Sequence, residues 1–422
     1  MSPPPPTDHE SCPVETTAPP PTSEAAPQRN VWSSSGYNLP PTSDKPAGGP
    51  LEPNPSRPAL QTTPPSKNLS HLFTLSYLVF FAIFGTLARL GLQALTFYPG
   101  APVVTGVLWA NVGGSLLMGF FLEDKNLFRE EWGQTPSTST SKADQSAAAS
   151  ARHKSVKKTI PLYIGLTTGF CGSFTSFSSF IRDVFLALTN DLATPSTVAS
   201  SIPPRNGGYS FMALLAVILT TVALSLAALI FGAHIALALD PLTPSVPFRF
   251  ARRVLDPLFV LLGWGCWLGA VFLAIWPPDR HDASPEHWRG RAVFAVVFAP
   301  LGCLLRYYVS LAFNARIPSF PLGTFAVNVF GTIILAMCFD LQRVAGIGAT
   351  VLTSCQVLEG VQDGFCGTTT TVSTWVAELN GLSRRRQAYF YGLMSIAVGL
   401  AFFVVIAGSL GWTRGFADPI CT

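Results

Sequence analysis

The chain has 422 residues, of which 48% are apolar and only 12% charged, with a net charge of +4. An ordinary soluble domain carries about 25% charged residues, and mean hydropathy here is positive, so composition excludes a soluble globule and predicts an all-α polytopic membrane protein. The small charge excess is scattered among loops, which excludes a nucleic-acid-binding face.

Residues 1–68 hold 18 of the 36 prolines and too few apolar side chains to offset the entropy of ordering a backbone, so they read as a disordered, Pro-rich cytoplasmic tail. No short apolar core flanked by basic residues appears among them, which argues against a cleaved signal peptide. The "NLS" at Asn68 matches a glycosylation pattern that recurs by chance. Counted against the roughly 20 apolar residues that cross a bilayer, nine segments follow: 71–97, 101–122, 160–188, 209–239, 254–276, 291–314, 321–340, 345–378 and 387–412. Loop 123–159 carries seven Lys or Arg, and "RFARR" at 249–253 and "RRR" at 384–386 fall on the same side. The positive-inside rule therefore puts the N-terminus in the cytoplasm, and nine crossings put the C-terminus outside. The eight cysteines show neither a CxxC pair nor a zinc-type spacing, and most lie in apolar runs. They read as small buried hydrophobes, with no disulfide framework and no metal cage.

An internal repeat organises these segments. "GTLAR" at 85–89 corresponds to "GCLLR" at 302–306, and "WANVGG" at 109–114 to "AVNVFG" at 326–331. Arg89 and Asn111 are 22 residues apart, as are Arg306 and Asn328. "GFCGSFTSFSSF" at 169–180 returns as "GFCGTTTTVSTW" at 364–375. The organisation is a tail to 68, a first four-helix repeat over 69–240, a linker crossing within 241–289, a second repeat over 290–413 and a short C-terminal tail, 414–422. Two four-helix units joined by one extra crossing must face opposite ways across the membrane, as inverted repeats do. Two glycines within four residues each weaken a helix by about 1 kcal/mol, so the third helix of each repeat should be broken at GFCG.

These motifs, in order and twice, resemble the Fluc (CrcB) fluoride channels, and among them the fused two-repeat FEX exporters of eukaryotes. The resemblance covers residues 71–412. It implies a fluoride-selective plasma-membrane channel working by passive electrodiffusion and conferring fluoride resistance. The chain would work as a monomer because its repeats form an internal pseudo-dimer among membrane lipids. The resemblance implies a fluoride pathway along Arg89, Asn111, Phe177 and Phe180, and along Arg306 and Asn328; Thr221 and Ser225, and Tyr391 and Ser395, each lie at i, i+4 on one face of a fourth helix and could form a polar track that donates hydrogen bonds to the anion. It also implies a structural Na⁺ held by backbone carbonyls of Gly172, Thr175, Gly367 and Thr370.

Each residue also has a plainer reading. The arginines could be snorkelling anchors, the asparagines interhelical hydrogen bonds, the glycines close helix crossings, Phe177 and Phe180 ordinary packing, and the hydroxyls of the fourth helices bonds back to their own helix. Recurrence of the Arg and Asn in both halves favours a pore. A ring edge is electropositive and can attract an anion; Val372 and Trp375 stand where the first copy has Phe177 and Phe180, so the two pathways should differ and one should be degenerate. The alternative function is a proton- or cation-coupled carrier, which needs a mid-membrane carboxylate. Asp183, Glu359, Asp363 and Glu378 lie on third helices, and on this reading none recurs at the equivalent position of the other half. No Walker, HExxH or nucleophile-elbow motif points to an enzyme.

Overall fold

The computed structural model describes residues 67–98, 101, 103, 106–129, 155–192, 206–277, 289–344 and 346–421. Most of the Pro-rich tail and most of loop 123–159 lie outside the described residues. Every predicted crossing is helical, and the described residues contain no strand.

In the first repeat α1 is Lys67–Thr96, α2 Leu108–Glu123, α3 begins at Pro161, α4 is Phe177–Thr189 and α5 Gly207–Ala238. Phe248–Ile275 forms the linker helix α6. In the second repeat α7 is Arg291–Phe313, α8 Leu322–Gln342, α9 begins at Leu352, α10 is Ser373–Gly381 and α11 Arg385–Arg414. Six of these, α1, α5, α6, α7, α8 and α11, are long and apolar enough to cross a bilayer alone. At 1.5 Å per residue the 16-residue α2 reaches about 24 Å, and the third crossing of each repeat is built from two shorter helices.

The interruption falls just past GFCG rather than within it. Gly165–Cys171 and Val361–Cys366 are π-helical turns, each followed by one α-helical turn, Gly172–Phe174 and Gly367–Thr369. The chain leaves the helix at Thr175 (φ −99°, ψ 149°) and Thr370 (φ −96°, ψ 154°). The glycines serve close approach instead. A Cβ on Gly172 would run into the guanidinium of Arg306, and one on Gly367 into that of Arg89.

The inversion is visible in which chain ends meet. At one end of the bundle, the end of α2 and the start of α3 face the α7–α8 connection and the end of α10 around a single cavity. A second-to-third-helix junction of one repeat thus sits with first-to-second and third-to-fourth junctions of the other. At the opposite end Cys421 forms a disulfide with Cys355, at the start of α9. The expectation of no disulfide is thereby corrected: two cysteines separated by 66 residues have no spacing signature and meet only because the segment after α11 folds back over the bundle. The core is continuous across the repeat boundary and centres on Phe177, Phe180, Phe339, Trp375, Tyr391 and Phe403.

Candidate functional site

The breaks are held open by side chains that replace the missing helical partners. In an unbroken helix the Ser176 amide would bond the Gly172 carbonyl; here it donates to Asn111 Oδ1 at 2.9 Å, while Asn111 Nδ2 donates to Ser176 O at 3.4 Å. The second copy repeats this, with the Thr371 amide on Asn328 Oδ1 at 2.9 Å and Asn328 Nδ2 on Thr371 O at 3.2 Å. Both asparagines are fully buried, and each satisfies one residue's complete backbone hydrogen-bonding need, which in hydrocarbon must be met within the protein. Three residues further, the Ser179 amide donates to Ser176 Oγ at 3.2 Å and the Thr374 amide to Thr371 Oγ1 at 3.4 Å. These bonds relieve the carbonyls of Gly172, Thr175, Gly367 and Thr370 of their helical partners. They are the same four carbonyls that the resemblance assigned to a cation.

Each repeat also starts the other's helix. Thr370 Oγ1 accepts from the Ser178 amide of α4 at 3.0 Å, and Thr175 Oγ1 from the amide of Val372, just before α10, at 3.2 Å and from that of Ser373, its first residue, at 3.1 Å. Thr175 Oγ1 lies 3.1 Å from both Thr371 Oγ1 and Ser373 Oγ, and Ser178 Oγ 3.0 Å from Thr370 Oγ1. A knot of hydroxyls therefore joins the two breaks. Ser176, Ser178, Thr371 and Ser373 escaped the reading of the motifs. Their signal was present in the pairing of the two copies, since Ser178 and Ser373 occupy matching places.

The arginines cross the repeat boundary too. Arg89 donates through Nη2 to the carbonyl of Asp363, and Arg306 through Nη2 to that of Thr168 at 2.8 Å and through Nε to that of Thr368 at 2.7 Å. Thr168 and Asp363 each precede a GFCG. Both guanidinium groups are buried, so neither arginine is a snorkelling anchor. Nε and Nη1 of Arg89 have no partner, so part of that buried guanidinium's donor capacity is unused.

The rings do not divide by repeat. Phe177 meets Phe180 edge-on at 5.7 Å between centroids and Trp375 edge-on at 5.3 Å; Phe177, Phe180, Val372 and Trp375 are fully buried. Phe177 of the first copy is thus paired with Trp375 of the second, and the symmetry-related pairing is Phe180 with Val372. Of the fourth-helix hydroxyls, Ser395 bonds back to Tyr391 O at 2.7 Å, as the plainer reading supposed. Tyr391 OH donates to Glu378 Oε2 at 2.7 Å. Thr221 and Ser225 are buried on α5, and Ser225 Oγ has no partner.

A further pair emerges from the same register. Counting from the glycines that open the two GFCG motifs, Asp183 and Glu378 are equivalent, which corrects the reading that no third-helix carboxylate recurs. Both are buried. Glu378 Oε1 accepts from Thr324 Oγ1 at 2.6 Å and Asn314 Nδ2 at 3.2 Å, and Asp183 lies 3.5 Å from Arg182. Glu378 borders a cavity of about 450 Å³ between α2, α5 and α10.

The four freed carbonyls suit a hard cation, because neutral backbone oxygens are the donors that unwound membrane helices offer Na⁺. The guanidinium groups against Gly172 and Gly367 oppose any cation there, a repulsion that the carbonyl dipoles would have to outweigh.

Comparison with known proteins points the same way. The family model described as "CrcB-like protein, Camphor Resistance (CrcB)" matches residues 76–233 and again 293–409, one match per repeat. The chain is 56% identical over 371 residues to Fluoride export protein 1 of Neurospora crassa, covering 84% of this chain and 70% of that protein. It is 37% identical over 343 residues to Fluoride export protein 1 of Candida albicans, covering 79% of each. It is also 36% identical over 102 residues to the fluoride-specific ion channel FluC of Acinetobacter baylyi, covering 24% of this chain and 75% of that protein. No solved structure matches the chain.

Proposed function

The chain belongs to the CrcB-like family, and on that premise we propose that it is a fluoride channel that exports cytoplasmic fluoride by passive electrodiffusion. It is a membrane protein and not an enzyme. The observation that carries the reading is the identity with a fluoride export protein across both repeats. The site supplies the physics: two buried guanidinium groups, two helices that begin at the centre of the bundle and present their electropositive ends, and ring edges in their first turns. An inside-negative potential drives an anion outward with about 2.3 kcal/mol per charge per 100 mV.

Of the two routes one is competent and one degenerate: Phe177 with Trp375 offers two ring edges, whereas Val372 leaves Phe180 unmatched. Gly172, Thr175, Gly367 and Thr370 would hold a Na⁺ through their carbonyls, whose role is to bind the two breaks together. The chain acts as a monomer in the plasma membrane, N-terminus inside and C-terminus outside. The Cys355–Cys421 bond supports that orientation, because disulfides persist in oxidising compartments and this one lies at the end opposite the Lys-rich loop.

Purified protein in liposomes loaded with fluoride tests the reading. Efflux should be slow until valinomycin shunts the charge with K⁺, and then rapid. Rapid efflux without the shunt, accelerated by a pH gradient, would revive the coupled carrier and give the buried Asp183 and Glu378 a titrating role.

A further inference from the structure

The cavity bordered by Glu378 has a symmetry-related counterpart at the opposite end of the bundle, between α4, α8 and α11. The repeat register sets its lining residue by residue. Leu122 on α2, Ala233 on α5 and Asn380 at the end of α10 line the cavity; their equivalents are Phe339 on α8, Phe403 on α11 and Phe185 on α4. These three phenylalanines fill the equivalent space. Phe403 lies 5.0 Å from Phe185 and 5.8 Å from Phe339 between ring centroids, and all three are buried. Where one end of the bundle has about 450 Å³ of open volume, the other has packed rings.

The filled end is also covered. After α11 the chain turns back, placing Phe416 edge-on to Phe339 at 5.4 Å. The Ile420 amide reaches Gly348 O at 3.5 Å, and the disulfide to Cys355 fixes the segment in place. The guanidinium of Arg343 lies 3.5 Å over the Phe339 ring, a cation–π contact that holds the ring in the plug.

We infer that the route between α4, α8 and α11 is stoppered at its outer mouth by Phe185, Phe339 and Phe403 under a C-terminal strap, and that the small side chain of Ala233 keeps the inner mouth of the other route open. This rests on the fluoride-channel reading and adds to it a difference between the mouths of the two routes.

The experiment transplants the plug. Ala233→Phe puts the stopper's residue into the open mouth and should cut valinomycin-dependent fluoride efflux at least tenfold, while Phe403→Ala should leave efflux within twofold of the parent. A pair of single cysteines, Ala233→Cys and Phe403→Cys, in a chain also carrying Cys12→Ser and Cys266→Ser, gives a readout that needs neither large substitution nor fluoride. A water-soluble maleimide should label position 233 at least tenfold faster than position 403 in detergent, and labelling at 233 should block efflux. Equal labelling rates, or efflux unchanged after Ala233→Phe or after labelling at 233, would overturn the inference. If the labelling difference holds but the parent protein carries no fluoride, the stopper stands and the fluoride reading falls.

Discussion

The centre of this molecule and its two mouths obey different rules. At the centre the repeats share one scheme: each asparagine clamps one backbone residue, each arginine reaches the residue preceding the opposite GFCG, and each threonine hydroxyl caps the other repeat's helix, with the bond from Arg306 Nε to Thr368 O the exception, since Arg89 Nε has no partner. At the mouths they disagree, with open space against three packed phenylalanines. An unsatisfied backbone group at membrane depth costs the fold several kcal/mol, so a break can survive duplication only if its hydrogen bonds survive with it. A mouth, open or filled, carries no such backbone hydrogen bonds to preserve, so the copies were free to diverge there.

The largest expected effect tests the symmetry of the centre. Asn111→Ala and Asn328→Ala each strand one buried N–H and take a donor from one buried C=O, of which that of Ser176 keeps the Phe180 amide at 3.4 Å, at about 1–3 kcal/mol for each stranded group. Both variants should lose fluoride efflux and unfold earlier, by similar amounts, in thermal denaturation in detergent. A large difference between them would break the symmetry claimed for the centre. Next comes Cys421→Ser, which frees the strap: removal of a native disulfide costs about 2–4 kcal/mol, so the melting temperature should fall while efflux stays unchanged, the rings remaining packed by their own contacts. A rise in efflux would mean that the strap itself is the stopper. Third, Phe177→Leu should slow efflux about tenfold, equivalent to about 1.4 kcal/mol of barrier, and Phe180→Leu less than threefold; equal losses would restore equivalence to the two routes. The smallest effect is expected of Trp375→Phe. It keeps a ring edge toward Phe177 and removes a buried indole N–H that has no partner, so stability should change by no more than about 1 kcal/mol and efflux by less than threefold.

Particular residues mark how far the chain could be read without its fold. The nine crossings and the duplication were legible, because hydrophobic length and the 22-residue spacing from Arg to Asn are local properties. The four carbonyl residues were legible only through resemblance, and the position of the break was misplaced by a few residues. Glycine looked like the breaker, yet the helix ends where Asn111 and Asn328 capture an amide from another element. The equivalence of Asp183 and Glu378 could have been found by extending the GFCG register; it was missed because an aspartate and a glutamate do not look like a repeat. The pairing of Phe177 with Trp375 could not have been found that way, since it joins rings from different copies.

The amino-acid sequence by itself determined what this protein is made of: a membrane-spanning chain, duplicated, with an arginine, an asparagine and a glycine-rich third helix in each half. Those follow from composition, run length and recurrence, all of which are read along the chain. Only the tertiary structure decided what each of these residues holds and which mouth is open. The asparagines bond backbone 65 and 43 positions away, the disulfide spans 66, and the plug takes one phenylalanine from each of three helices. Whether three side chains fill a space depends on how closely their helices approach, and that distance is set by the packing of both repeats together.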